Sequence, residues 1–177
     1  MKRLLFYFIE PYVMELIELI RMLFGSKPSD FSEPQLLEMK HFPFKGYRYM
    51  MWCGRMIYRA DNRDKILAQA GTPDFRRSLT HETIHLRQAQ LCGSWARYYW
   101  RYGVEWLRGY PIVHPSSSAY YTIPYEMEAY ANEDNPQYAA EYTGEYLDRY
   151  RIKKRKRAFK KYGNAKAWKA YLKSIPE

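Results

Sequence analysis

His81-Glu82-Thr83-Ile84-His85 places two of the chain's four histidines four residues apart, with a glutamate directly after the first. On a helix that spacing puts both imidazoles on one face, one turn apart, where they can converge on one ion. Zinc accepts nitrogen ligands in tetrahedral geometry and lowers the pKa of water beside it. Glu82 then lies beside the ion, where it can act as general base. With so few histidines in 177 residues, this arrangement is uncommon by chance. The plainer alternative is a helix whose histidines face solvent or pair with acids.

Around this segment the pattern is helical. Thr72-Pro73 and Ser78 are both plausible starts, and Cys92-Gly93-Ser94 interrupts the helix after Leu91. An aromatic helix follows, Ser94 to Leu107, with Trp95, Tyr98, Tyr99, Trp100, Tyr102 and Trp106. Gly109 to Ser118 reads as a loop. Pro124 opens a helix from Tyr125 to about Asn132, Asn135-Pro136 breaks it, and a further helix is expected over about Gln137 to Tyr150. Upstream, Tyr47 to Arg59 is β-favouring, with Cys53-Gly54 as a turn between two short strands. Gly25 to Pro34 is a linker. Tyr12 to Phe24 is an amphipathic helix with Val13, Leu16, Ile17, Ile20 and Leu23 on one face, suited to docking on the core or, less simply, to a membrane surface.

A hydrolytic zinc site needs a third protein ligand and one open position. His41 and His114 are not well placed by sequence. The acids cluster in Glu126-Met127-Glu128-Ala129-Tyr130-Ala131-Asn132-Glu133. On a helix Glu126 and Glu128 point to different sides, so both cannot face one metal. Glu126 shares a face with Ala129, Tyr130 and Glu133, and the small Ala129 lets two helices approach. Glu126 is therefore the expected ligand and Glu128 the alternative. Donors to the reacting carbonyl are sought in Tyr120, Tyr121, Tyr125 and His114, near the loop that feeds this helix.

The segment 81–85 followed by Glu126-Met127-Glu128-Ala129 resembles the gluzincins, zinc metallopeptidases whose third ligand is a glutamate on a later helix. It also resembles a group of small uncharacterised bacterial zincin-like proteins, over about residues 43 to 145. The resemblance implies Zn2+ on His81, His85 and Glu126, Glu82 as general base, and hydrolysis of a peptide amide. It implies a small sheet from Tyr47 to Arg59 whose edge receives an extended peptide. Tyr130 stands where the gluzincins usually carry an aspartate that orients a ligand histidine. That role then passes to Glu133, Asp134 or another acid.

The expected fold is α+β, a mostly helical zincin-like domain with a small antiparallel sheet. It spans residues 1–177 as one domain: helix and linker over 1–34, the metal-site core over 35–148 and a basic tail over 149–177. The net charge of +10 belongs to that tail. Residues 149–177 hold 12 Lys/Arg against Glu177 alone, while the first 148 residues hold 17 Lys/Arg against 18 acids. Two cysteines are too few for a disulfide framework and favour the cytoplasm. No run is long and apolar enough for a transmembrane segment. Oligomeric state has no signal in the sequence. Two other functions fit the same residues. One is a catalytically inactive zincin-like metal-binding protein. The other is a module binding nucleic acid or anionic membrane through Arg149 to Lys161, although such charge runs are usually solvated helix. Trp168, Leu172 and Ile175 are placed to pack back on the domain.

Overall fold

The computed structural model describes residues 2–43, 45–109, 117–145, 147–151 and 155–175. Helix α1 (Lys2–Gly25) runs through Pro11, which forgoes one backbone hydrogen bond without ending the helix. Its docking edge differs from the expected one. Leu19 is buried, and Met22 and Leu23 pack against the core. The backbone carbonyl of Leu19 accepts the Trp52 indole N–H at 2.8 Å. Glu15 accepts the backbone N–H groups of Lys40 and His41. Val13, Leu16, Ile17 and Ile20 remain exposed. These polar anchors decide which side of the helix faces inward, and periodicity alone carries no record of them.

Strands β1 (Gln35–Met39), β2 (Met50–Trp52) and β3 (Arg55–Arg59) form one sheet in the order β1-β3-β2. The expected hairpin is present. Cys53 and Gly54 both have positive φ, the two-residue turn that suits strand twist. The sheet is nevertheless mixed, because β1 pairs with β3 in parallel, from Gln35↔Arg55 to Met39↔Arg59. From β1 the chain crosses to the far edge before the hairpin returns through the centre, so β1 and β3 run the same way. A Cβ at Gly54 would lie 2.6 Å from carbons of the buried Phe31 ring. Gly54→Ala is therefore expected to cost at least about 1–2 kcal/mol, the usual penalty for left-handed backbone, before any ring displacement. Urea unfolding reads this directly.

Helix α2 (Arg63–Gln69) leads to α3 (Pro73–Cys92). Of the two possible starts, Thr72-Pro73 is used. Thr72 Oγ accepts the backbone N–H of Phe75 at 3.2 Å, and Gly93 at φ 75° ends the helix. The aromatic helix α4 (Trp95–Gly109) packs its Trp95 and Tyr98 into a core with Leu86, Ala89 and Ile123. Helix α5 (Ser117–Tyr121) precedes α6 (Pro124–Asn132), whose residues are nearly all buried. The long helix expected over Gln137 to Tyr150 is only α7 (Pro136–Ala140). Beyond it Gly144 adopts φ 80°, which helix excludes, and a short 3-10 turn over Leu147–Tyr150 follows. Helices α8 (Arg155–Tyr162) and α9 (Ala165–Lys173) complete the fold.

The architecture is α+β and mostly helical. The carboxyl-terminal segment is basic, yet part of it is core. Trp168 and Leu172 on α9 are fully buried against Met127 and Tyr130 of α6. Lys153 and Lys154 lie outside the described residues. Among the described residues no helix is long and apolar enough to cross a membrane.

Candidate metal centre

Helix α3 delivers His81 and His85 to the same inward face, where both are buried. Helix α6 crosses beside it. Ala129, with no exposed surface, packs near Ile84, so the two backbones come close enough for Glu126 to reach the rings. His81 Nε2 and His85 Nε2 are 3.1 Å apart. Glu126 Oε1 lies 3.2 Å from His85 Nε2, and Oε2 lies 3.4 Å from His81 Nε2. His81, His85 and Glu126 form a buried group that can hold a metal ion.

The arrangement passes a physical test of fit. For bonds of about 2.0–2.1 Å, the edge of a tetrahedron around a zinc-sized ion is about 3.3 Å, close to the 3.1 Å between the two ring nitrogens and the 3.2 Å from His85 Nε2 to Glu126 Oε1, while the contact to His81 uses the other carboxylate oxygen. Two ring nitrogens facing each other at 3.1 Å must share either a proton or a cation. Glu126 Oε2 is buried with no hydrogen-bond partner, an expensive position unless it serves a cation.

The ring orientations are held from behind. Gln88 Nε2 donates to the Tyr125 carbonyl at 3.0 Å and to Glu128 Oε2 at 2.8 Å. Its Oε1 therefore accepts the Nδ1–H of His85 at 2.8 Å, which leaves the His85 Nε2 lone pair facing the centre. Glu133 Oε2 lies 3.3 Å from His81 Nδ1, within ion-pair distance although not aligned as a hydrogen bond. It stands where an orienting acid was sought in place of Tyr130. Tyr102 donates to Glu126 Oε1 at 2.7 Å. Glu128, the alternative ligand, turns away from the rings and accepts from Gln88, Tyr138 and Tyr142.

Electrostatics agree with a cation site. Burial alone would lower the His81 pKa, but Glu126 and Glu133 outweigh it and raise it to about 10. Burial likewise opposes charge on His85, and Glu126 outweighs it, so that pKa also rises. Burial would raise the Glu126 pKa, yet His85 and His81 hold it well below the ordinary range. Without metal, a proton therefore occupies the centre at neutral pH. An incoming cation must displace it, so affinity falls as pH falls, by about tenfold per pH unit for each proton displaced. Metal titration against a competing chelator at about pH 6, 7 and 8 should show Kd rising toward the acid end.

Two cavities open on this centre and share Tyr49, Glu82 and Tyr120 as walls. One, of about 300 Å³, is aromatic, lined by Trp52, Tyr98, Tyr99 and Tyr102 along the edge strand β2. The other, of about 440 Å³, is charged and reaches Arg48, Arg77 and Lys169. Glu82 Oε2 is buried without a hydrogen-bond partner, and burial raises its pKa. Of the sought donors, Tyr120 borders both cavities. Tyr125 is buried against Tyr98 and Tyr102, and Tyr121 stacks on Phe159. His41 sits beside Glu15 and Tyr12, away from the centre, and His114 lies outside the described residues. The supporting role of Gln88 escaped sequence reasoning, although its position one turn after His85 was a usable signal. Tyr102 carried no signal among so many tyrosines. Compared with known protein families, curated proteins and solved structures, the chain finds no match.

Proposed function

We propose that this chain is a zinc-dependent hydrolase of the metallopeptidase kind, with His81, His85 and Glu126 as ligands and Glu82 as general base. The observation that carries this reading is the convergence of two imidazole nitrogens and one carboxylate at 3.1–3.4 Å, buried at the meeting of two cavities. Two histidines, one glutamate and an open position form a hydrolytic zinc set, whereas structural sites are usually closed by four protein ligands. When bound, zinc supplies Lewis acidity and lowers the pKa of water. Glu82 faces both cavities with an unpartnered oxygen, placed to take a proton from the attacking water and pass it to the leaving amine. Burial raises its pKa, the direction that suits a group that must accept and later release a proton. Tyr102 and Gln88 hold the ligands in place. The β2 edge, lining the aromatic cavity, offers backbone groups to an extended peptide.

An inert metal site would have no use for Glu82 in that position. Elemental analysis of the purified protein tests the reading first. One zinc per chain is expected, lost in His81→Ala, His85→Ala and Glu126→Ala, and kept in Glu128→Gln. Zinc kept without Glu126 would overturn the ligand set. Cleavage of a mixed peptide library by the loaded wild type, read by mass spectrometry, tests the activity.

A further inference from the structure

The charged cavity pairs its acids and cations unevenly. Asp74, Glu82 and Glu133 line it against Arg48, Arg77 and Lys169. Arg77 is committed, donating to Asp134 at 2.6 Å and to Asp74 at 3.3 Å. Glu133 is shared between His81 at 3.3 Å and Lys173 at 3.5 Å. Glu82 belongs to the reacting centre. Lys169 and Arg48 make no direct ion pair among the described residues, although the charges of Glu133 and Glu126 reach Lys169 from farther off.

Lys169 is the more telling of the two. It is half-buried, and its ammonium sits 3.5 Å above the centroid of the Tyr130 ring. A ring face compensates a desolvated ammonium only in part. The same ring packs 4.5 Å from the His81 imidazole, so the cation stands one aromatic ring away from a metal ligand. Burial pushes the Lys169 pKa down, a cost that a bound anion would relieve. Arg48 is exposed and lines the same cavity.

We infer that this cavity of about 440 Å³ seats a carboxylate of the substrate, held by Lys169 and Arg48, close to the bond that is cut. This rests on the hydrolase reading above. The adjoining aromatic cavity, which also has Glu82 as a wall, takes an apolar side chain. The substrate class is therefore a peptide with a large apolar residue on one side of the scissile bond and a carboxylate on the other. That carboxylate is either an acidic side chain or the free carboxyl terminus.

Binding separates these sources without depending on turnover. Three probes suffice: N-acetyl-phenylalanyl-glutamine with a free terminal carboxyl, N-acetyl-phenylalanyl-glutamate amidated at its terminus, and the fully amidated glutamine form. Each is titrated by calorimetry into full-length Glu82→Gln protein, with and without added zinc. At least one carboxylate form should bind about 10- to 100-fold tighter than the neutral form, the usual worth of a hydrogen bond between charged groups. The tighter of the two names the source. The preference should shrink to within about twofold in Lys169→Met and survive in Lys169→Arg, with melting curves showing that both variants fold. Equal affinity for all three probes, binding of none, or a preference that persists in Lys169→Met would overturn the inference. The last outcome would put the carboxylate on the metal. Failure of the hydrolase reading is read separately, in zinc content and in turnover with Glu82 intact.

Discussion

On the hydrolase reading proposed above, Glu82→Gln is expected to keep zinc and its fold while losing about 10²- to 10⁴-fold in turnover, the usual contribution of a general base. Glutamine preserves the shape of the side chain and removes only its capacity to accept a proton. Glu82 touches none of the three ligand atoms, so metal content should not change. Its Oε2 has no hydrogen-bond partner to lose, so stability should not fall either. Burial disfavours the charged carboxylate, and the amide removes that penalty, so the melting temperature should hold or rise slightly. Turnover and zinc content measured on one preparation decide the matter. Activity equal to wild type in the zinc-loaded variant would remove Glu82 from the mechanism.

Trp168→Ala should cost about 3–5 kcal/mol, among the largest losses available to one buried side chain. Against a total of about 5–15 kcal/mol for a domain, that brings the chain near its unfolding threshold. Trp168 has no exposed surface, and its indole N–H donates to the Tyr121 carbonyl at 2.8 Å. Phe159, Tyr162 and Tyr171 surround it, so its removal leaves a cavity and an unpaired buried carbonyl. The effect reaches the metal centre, because α9 packs against Met127 and Tyr130 of the helix that bears Glu126. Zinc affinity should therefore weaken together with stability. Trp168→Phe keeps an aromatic ring in place but gives up the indole donor and part of the buried volume, so its cost should fall below that of alanine, nearer roughly 1–3 kcal/mol. Urea unfolding with zinc titration distinguishes these outcomes. A Trp168→Ala protein as stable as wild type would show that α9 is not part of the core.

Several parts of the centre are legible in the chain itself. His81 and His85 share a face because helical geometry puts every i,i+4 pair there. Thr72-Pro73 and Gly93 mark the ends of their helix through cap chemistry that needs no distant partner. Glu126, Ala129 and Glu133 share a face by the same periodicity, which favours Glu126 over Glu128, and the resemblance to gluzincins points the same way. The apolar face of α1 was misjudged. Its orientation follows from hydrogen bonds between Glu15 and the backbone at Lys40 and His41, which no helical periodicity contains.

The sequence by itself determined what lies within one element: the histidine pair, the glutamate beside it, the caps and the hairpin turn. Those features depend on backbone geometry over a few residues, which side-chain identity largely dictates. Only the tertiary structure decided the parallel seat of β1, the Gln88–Glu128–Tyr138–Tyr142 support behind His85, and the approach of Lys169 to Tyr130. Each joins residues whose distance in space is set by how whole elements pack. That packing balances buried area and satisfied polar groups over the entire chain, and no local window of sequence records it.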